Sequence, residues 1–176
     1  MDILLIIDMQ VASFAKGEKY DSDNVIARIN QLSEHVRRNG GKVVFIQHDG
    51  TEEEGLLPFS SGWKILPSLT QDKRDVVIRK TINDSFYNTS LNKWLQQFNE
   101  IRLLVTGWAT DFCVDTTIRA AVSHGYNVVA VSDCHTVSDR PHLSAEQVIE
   151  HHNWIWNNMH TPAKPVEVLP LKALFG

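Results

Sequence analysis

Ile101-Arg102-Leu103-Leu104-Val105-Thr106-Gly107-Trp108-Ala109-Thr110-Asp111-Phe112-Cys113-Val114 is the stretch on which the reading of this chain turns. Its first half is an apolar run that stops at Thr106-Gly107. From about Cys113 a helical pattern takes over and continues through Val114, Ile118, Ala121 and Val122. A strand that passes directly into a helix is half of a βαβ unit. The same junction carries a thiol. Backbone N–H groups and the helix dipole favour negative charge at such a place, so they are expected to lower the pKa of Cys113 and to hold the oxyanion of an attacked carbonyl. One segment therefore points both to an α/β fold and to acyl-transfer chemistry.

Working outward, the same alternation runs through the whole chain. Ile3–Ile7 is apolar without period-2 alternation, as expected of a central strand covered on both faces. Asp21-Ser22-Asp23 offers N-caps for a helix carrying Val25, Ile26, Ile29, Leu32 and Val36, closed by Gly40-Gly41. Lys42–Gln47 reads as the second strand and Asp75–Arg79, ending at Lys80, as the third. Between them, 48–74 is irregular, and a long loop in a compact domain is usually functional. Thr89-Ser90 caps a helix through Leu91, Trp94, Leu95 and Phe98. Ile101–Thr106 and Tyr126–Ser132 are strands four and five, with the helix 113–124 between them. Ser144 opens a last helix reaching Met159, stopped by Pro162 and Pro165, and Val166–Leu169 reads as a short edge strand. This βαβα order predicts a mostly parallel sheet with helices on both faces, in one domain over residues 1–176.

Composition narrows the classes of function. The chain has 176 residues, a formal net charge of −4, and no Lys/Arg run longer than Arg37-Arg38 or Lys73-Arg74, which argues against a nucleic-acid partner. The two cysteines, Cys113 and Cys134, both fall at expected strand ends and make no disulfide framework. The start, Met1-Asp2-Ile3-Leu4-Leu5-Ile6-Ile7-Asp8, lacks the basic flank and cleavage site of a signal peptide, and its apolar stretch is too short for a bilayer. A cytoplasmic protein without a membrane partner is expected.

In parallel sheets ligands bind beyond the carboxyl ends of the strands. Applied as a filter, that rule selects Asp8 after strand one, Gln47-His48-Asp49 after strand two, Lys80 after strand three, Gly107–Cys113 after strand four and Asp133-Cys134-His135 after strand five. A carboxylate, an ammonium and a thiol thus arrive at one face from three strands. Each has a plain alternative: Asp8 as the cap of its turn, Lys80 as a snorkelling surface lysine, Cys113 as an inert buried thiol.

Asp8-Met9-Gln10 after an apolar strand, Lys80 followed by Asp84-Ser85-Phe86-Tyr87-Asn88-Thr89-Ser90-Leu91, and Gly107-Trp108-Ala109-Thr110-Asp111-Phe112-Cys113-Val114 resemble the motifs of the isochorismatase-like cysteine hydrolases, in the same order and over about residues 2–170. That superfamily includes nicotinamidases and other small-amide hydrolases. The resemblance implies a three-layer Rossmann-like fold with a sheet of about six strands in the order 3-2-1-4-5-6. It implies a catalytic triad of Asp8, Lys80 and Cys113, an oxyanion hole at the N–H groups of Ala109 and Cys113, and a cis peptide between Trp108 and Ala109. It further suggests Gln10 and Thr89 as residues that order the triad, and a homodimer or homotetramer. On chemical grounds Cys113 attacks an amide carbonyl and forms a thioester, Lys80 favours the thiolate, and Asp8 moves the proton.

Nicotinamidases carry an Asp-x-His metal motif after the second strand. Here that position reads Gln47-His48-Asp49, with no histidine in 50–74, and His151-His152 are adjacent on a helix and diverge. No bound metal and no cofactor are expected, and no phosphate-cradling glycine motif occurs. Aromatic candidates for a substrate slot are Phe14, Phe59, Trp63, Phe86, Trp108 and Phe112, each with a core or interface role as the alternative. The expected activity is cleavage of a C–N bond in a small, uncharged or weakly charged amide. Vinyl-ether hydrolysis and a non-catalytic binding role are the alternatives.

Overall fold

The computed structural model describes residues 1–162 and 164–175. Six strands form one sheet: β1 (Asp2–Ile7), β2 (Lys42–His48), β3 (Val76–Lys80), β4 (Arg102–Trp108), β5 (Asn127–Thr136) and β6 (Glu167–Leu169). Their order is β3-β2-β1-β4-β5-β6, every neighbouring pair parallel, as the resemblance implied. The helices are α1 (Val11–Ala15), α2 (Ser22–Arg38), α3 (Leu91–Leu95), α4 (Asp115–Ser123) and α5 (Ala145–Asn157).

The unbroken apolar runs follow from coverage on both faces. Ile3, Leu5 and Ile7 of β1 point into a core shared with α3, α4 and α5, which contribute Leu91, Ile118 and Trp156. Leu4 and Ile6 point the other way, against Val25, Ile29, Leu32 and Val36 of α2. Alternating side chains thus enter two different cores, so neither alternate set is polar. The backbones of β1 and β4 meet closely at Gly107. It has φ +118°, and a Cβ there would lie 2.3 Å from the Ile7 carbonyl oxygen. Only glycine fits.

Local expectations needed four adjustments. The helix expected from Cys113 is preceded by one π-helical turn, Thr110–Val114, and α4 itself begins at Asp115. Strand β5 does not stop at Ser132 but runs to Thr136, because a register shift pairs Gly107 with His135 and Trp108 with Thr136. Cys134 therefore lies inside a strand, fully buried in the α2-side core, and not at a strand end. Helix α3 ends at Leu95, short of Phe98. Helix α1 and a 3₁₀ turn at Leu171–Leu174 were not anticipated, since one turn is too short to show a period. No helix among the described residues is long and apolar enough to cross a membrane.

Candidate active site

Asp8 follows the last residue of β1 with φ +50° and is anchored by its own N–H, which donates to the Ile46 carbonyl at 2.9 Å. Lys80 is the last residue of β3, two strands away. Its Nζ nevertheless lies 2.6 Å from Asp8 Oδ2, with both side chains almost wholly out of water. Nζ also donates to the carbonyls of Ile82 at 2.9 Å and Asn83 at 3.3 Å. Three acceptors match the full donor capacity of an ammonium, and a buried ammonium requires an anion beside it. The pair is therefore ionised.

The second oxygen of that carboxylate is the unusual atom. Asp8 Oδ1 is buried and has no hydrogen-bond partner among the described residues. Burial raises the carboxyl's pKa, against the opposing pull of Lys80. Asp8 is thus a stronger proton acceptor than an ordinary carboxylate while its charge is held in place by Lys80.

Cys113 sits in the π-turn, half-buried, with its S–H donating to Asn83 Oδ1 at 3.5 Å. The thiol is not activated in the resting protein. It is pushed up to about 12, first by burial and then by the negative charge of Asp8, with Lys80 pulling the other way. The expected depression at a helix start does not occur, because the half-buried thiol is largely out of water beside a carboxylate, and desolvation outweighs the local dipoles.

Asp8, Cys113 and Ala109 line one cleft of about 240 Å³ together with Ser13, His48, Leu56, Asn83, Trp108, Phe112 and Arg140. The Trp108–Ala109 peptide is cis. The Ala109 carbonyl accepts from the N–H groups of Phe112 at 3.1 Å and Val114 at 3.2 Å, while the Ala109 N–H meets no acceptor among the described residues. Arg140 is paired with Asp111 through two 2.7 Å hydrogen bonds and lies over the Phe112 ring, 5.2 Å from its centre. The walls of the cleft are close to charge-balanced.

Of the aromatic candidates, Trp108 and Phe112 line this cleft. Phe14 stands behind Trp108, ring centres 5.8 Å apart. Trp63 donates to Asp49 at 2.8 Å and packs at a tilt against the exposed Phe59 beside Arg79, and it is not among the residues that line the cleft. Phe86 is a core residue packed on His124 and Tyr126. Gln10 is buried and clamps the end of β2: its Oε1 accepts from the His48 N–H at 2.8 Å, and its Nε2 donates to the carbonyls of His48 at 3.0 Å and Trp63 at 2.8 Å. Thr89 bonds the Ser85 carbonyl and caps Leu91, so it shapes the 84–90 turn without touching Asp8, Lys80 or Cys113. Ser13, Leu56, Asn83 and Arg140 were not anticipated. Asn83 was within reach of the strand-end filter, three residues past Lys80. The Arg140–Asp111 pair spans 29 residues and leaves no local signal.

The family model of the Isochorismatase domain matches residues 2–161. Over 139 residues, 78% of this chain, it is 32% identical to a streptothricin hydrolase of Streptomyces noursei. That match covers 55% of the relative, so the chain spans about half the length of the streptothricin hydrolases it resembles. It is 27% identical over 168 residues to the ureidoacrylate amidohydrolase RutB of Methylorubrum extorquens, with 74% of this chain and 68% of the relative covered. A solved structure of an isochorismatase family protein superposes with a TM-score of 0.86 at 32% identity, covering 96% of this chain and 97% of that one.

Proposed function

The chain belongs to the isochorismatase family of hydrolases, and on that premise we propose that it is a cysteine-dependent amidohydrolase acting through a thioester on Cys113. The observation that carries the proposal is the buried Lys80–Asp8 pair, with Asp8 lining the same cleft as Cys113. In this reading Asp8 takes the Sγ proton as sulfur attacks the carbonyl carbon, which removes the high cost of a free thiolate in the resting site. The developing oxyanion is held by the N–H groups of Ala109 and Cys113. Asp8 then passes the proton to the leaving nitrogen, the C–N bond breaks, and the amine departs. Water, deprotonated by Asp8, attacks the thioester; the acid is released and the proton returns to sulfur. Lys80 keeps Asp8 charged and oriented through both halves.

Two relatives named for hydrolysis, one of them an amidohydrolase, support the C–N assignment. The small cleft and the pairing of Arg140 with Asp111 favour a compact amide without a strong net charge. The test is ammonia or amine release over a panel of small amides, with mass spectrometry of the enzyme quenched during turnover. An acyl adduct on Cys113 that is absent from Cys113→Ala is the expected result. No amine release from any amide, together with hydrolysis of a vinyl ether that survives Cys113→Ser and is lost in Asp8→Asn, would instead indicate vinyl-ether chemistry without a thioester.

A further inference from the structure

His135, on β5, is 1% exposed and has no part in the chemistry above. Its ring ties three elements together. Nδ1 lies 2.8 Å from Thr110 Oγ1, Nε2 lies 3.1 Å from Asn153 Oδ1 on α5, and Trp156 packs edge-on with ring centres 5.1 Å apart. Asn153 Nδ2 donates to the Ser132 carbonyl at 3.2 Å, which decides that its oxygen is the atom facing the imidazole. Nε2 must then carry the ring proton, and bare Nδ1 accepts from the Thr110 hydroxyl. One neutral tautomer satisfies both ring nitrogens of His135. Burial pushes the ring down to about 4, so it stays neutral around pH 7.

Thr110 is fully buried and opens the π-turn immediately after Ala109, and its hydroxyl bonds only to His135 among the described residues. On the other side, the Ala109 carbonyl is held by the N–H groups of Phe112 and Val114. The Ala109–Thr110 peptide is thus held from two sides, at its carbonyl by the π-turn and through the Thr110 side chain by the imidazole, and it adjoins the Trp108–Ala109 peptide that carries the Ala109 N–H.

We propose that His135 is a positioning residue that, through Thr110, sets the direction of the Ala109 N–H in the oxyanion site. The inference rests on the amidohydrolase reading, and its test separates the two. The probes are p-nitrophenyl acetate, whose attack by Cys113 creates an oxyanion, and iodoacetamide, whose alkylation of the same sulfur creates none. Thr110→Val and His135→Leu are each expected to slow acylation of Cys113 on the order of 10- to 100-fold with little change in KM, and the double variant to be no slower than the worse single one. Alkylation of Cys113 should stay within about 3-fold of wild type in both. His135→Asn, which returns an acceptor to the Thr110 hydroxyl but loses the Asn153 contact, should recover most of the acylation rate while its Tm remains low. Acylation and alkylation falling together, His135→Asn as slow as His135→Leu, or all variants acylating at the wild-type rate would each overturn the role of His135. Full hydrolysis of the ester by Cys113→Ala would instead remove the thioester reading on which it rests.

Discussion

Replacing Lys80 by methionine keeps the buried stem and deletes the ammonium, and the consequence can be worked from the geometry of its pair. At a separation of 2.6 Å and an effective dielectric of about 20, the Coulomb attraction is about 6 kcal/mol. Desolvation offsets much of this while both ions are present, but not when one charge is left behind. Asp8 then has an escape, which is to bind a proton. Holding a carboxyl protonated at pH 7 against an unfolded-state pKa of about 3.9 costs about 4 kcal/mol, which caps the loss of stability. The folded variant retains a proton that the unfolded chain releases, so its stability falls as pH rises, by about 1.4 kcal/mol per unit. Burial raises the wild-type carboxyl as well, so the comparison belongs above the acid limb of the wild-type pH–rate profile, where Asp8 is ionised. Urea unfolding of both proteins at pH 6, 7 and 8 should give a gap of about 3, 4 and 5–6 kcal/mol. A protonated Asp8 has no capacity for the Sγ proton, so kcat/KM should drop on the order of 10³-fold. Adding Asp8→Asn should restore much of the stability and none of the activity. A gap that stays constant from pH 6 to 8, or a variant with wild-type turnover, refutes the ionised pair as the source of both effects.

Two further outcomes follow from single positions. Gly107→Ala places a Cβ 2.3 Å from the Ile7 carbonyl oxygen at φ +118°, where neither backbone can retreat without breaking the β1–β4 ladder. It should cost more than about 4 kcal/mol and be visible as loss of soluble protein or a collapsed Tm, whereas a Tm within a few degrees of wild type would show the two backbones to be farther apart than described. His135, lowered from 6.5 to about 4, is protonated first in the unfolded chain as pH falls. Its contribution to stability is complete above pH 6.5 and lost by about 3 kcal/mol on reaching pH 4, so the acid slope of urea stability should be shallower in His135→Asn, and identical slopes would contradict a neutral buried ring.

The fold was legible because its signal is local. A strand covered on both faces has no polar alternate positions, and Ile3–Ile7, Leu103–Val105 and Val128–Val131 all show that. Asp8, Lys80 and Cys113 were legible for a related reason: parallel strands end at one edge, so whatever follows them is brought to one face. The aromatic residues were not. Phe86 in the core, Trp63 against Asp49 and Phe112 on the cleft are alike as sequence, because a ring's neighbours come from other segments.

The sequence alone thus determined the order of strands and helices and the three groups that meet at their ends, since both depend on patterns a few residues long. Tertiary structure decided what those groups are at rest. Desolvation keeps Cys113 a thiol and raises Asp8 against the pull of Lys80, and desolvation depends on everything packed around a side chain. The same holds for His135. Only the register shift between β4 and β5 brings it opposite Gly107 and within reach of Thr110, and a ladder register is a relation between two distant segments that neither records by itself.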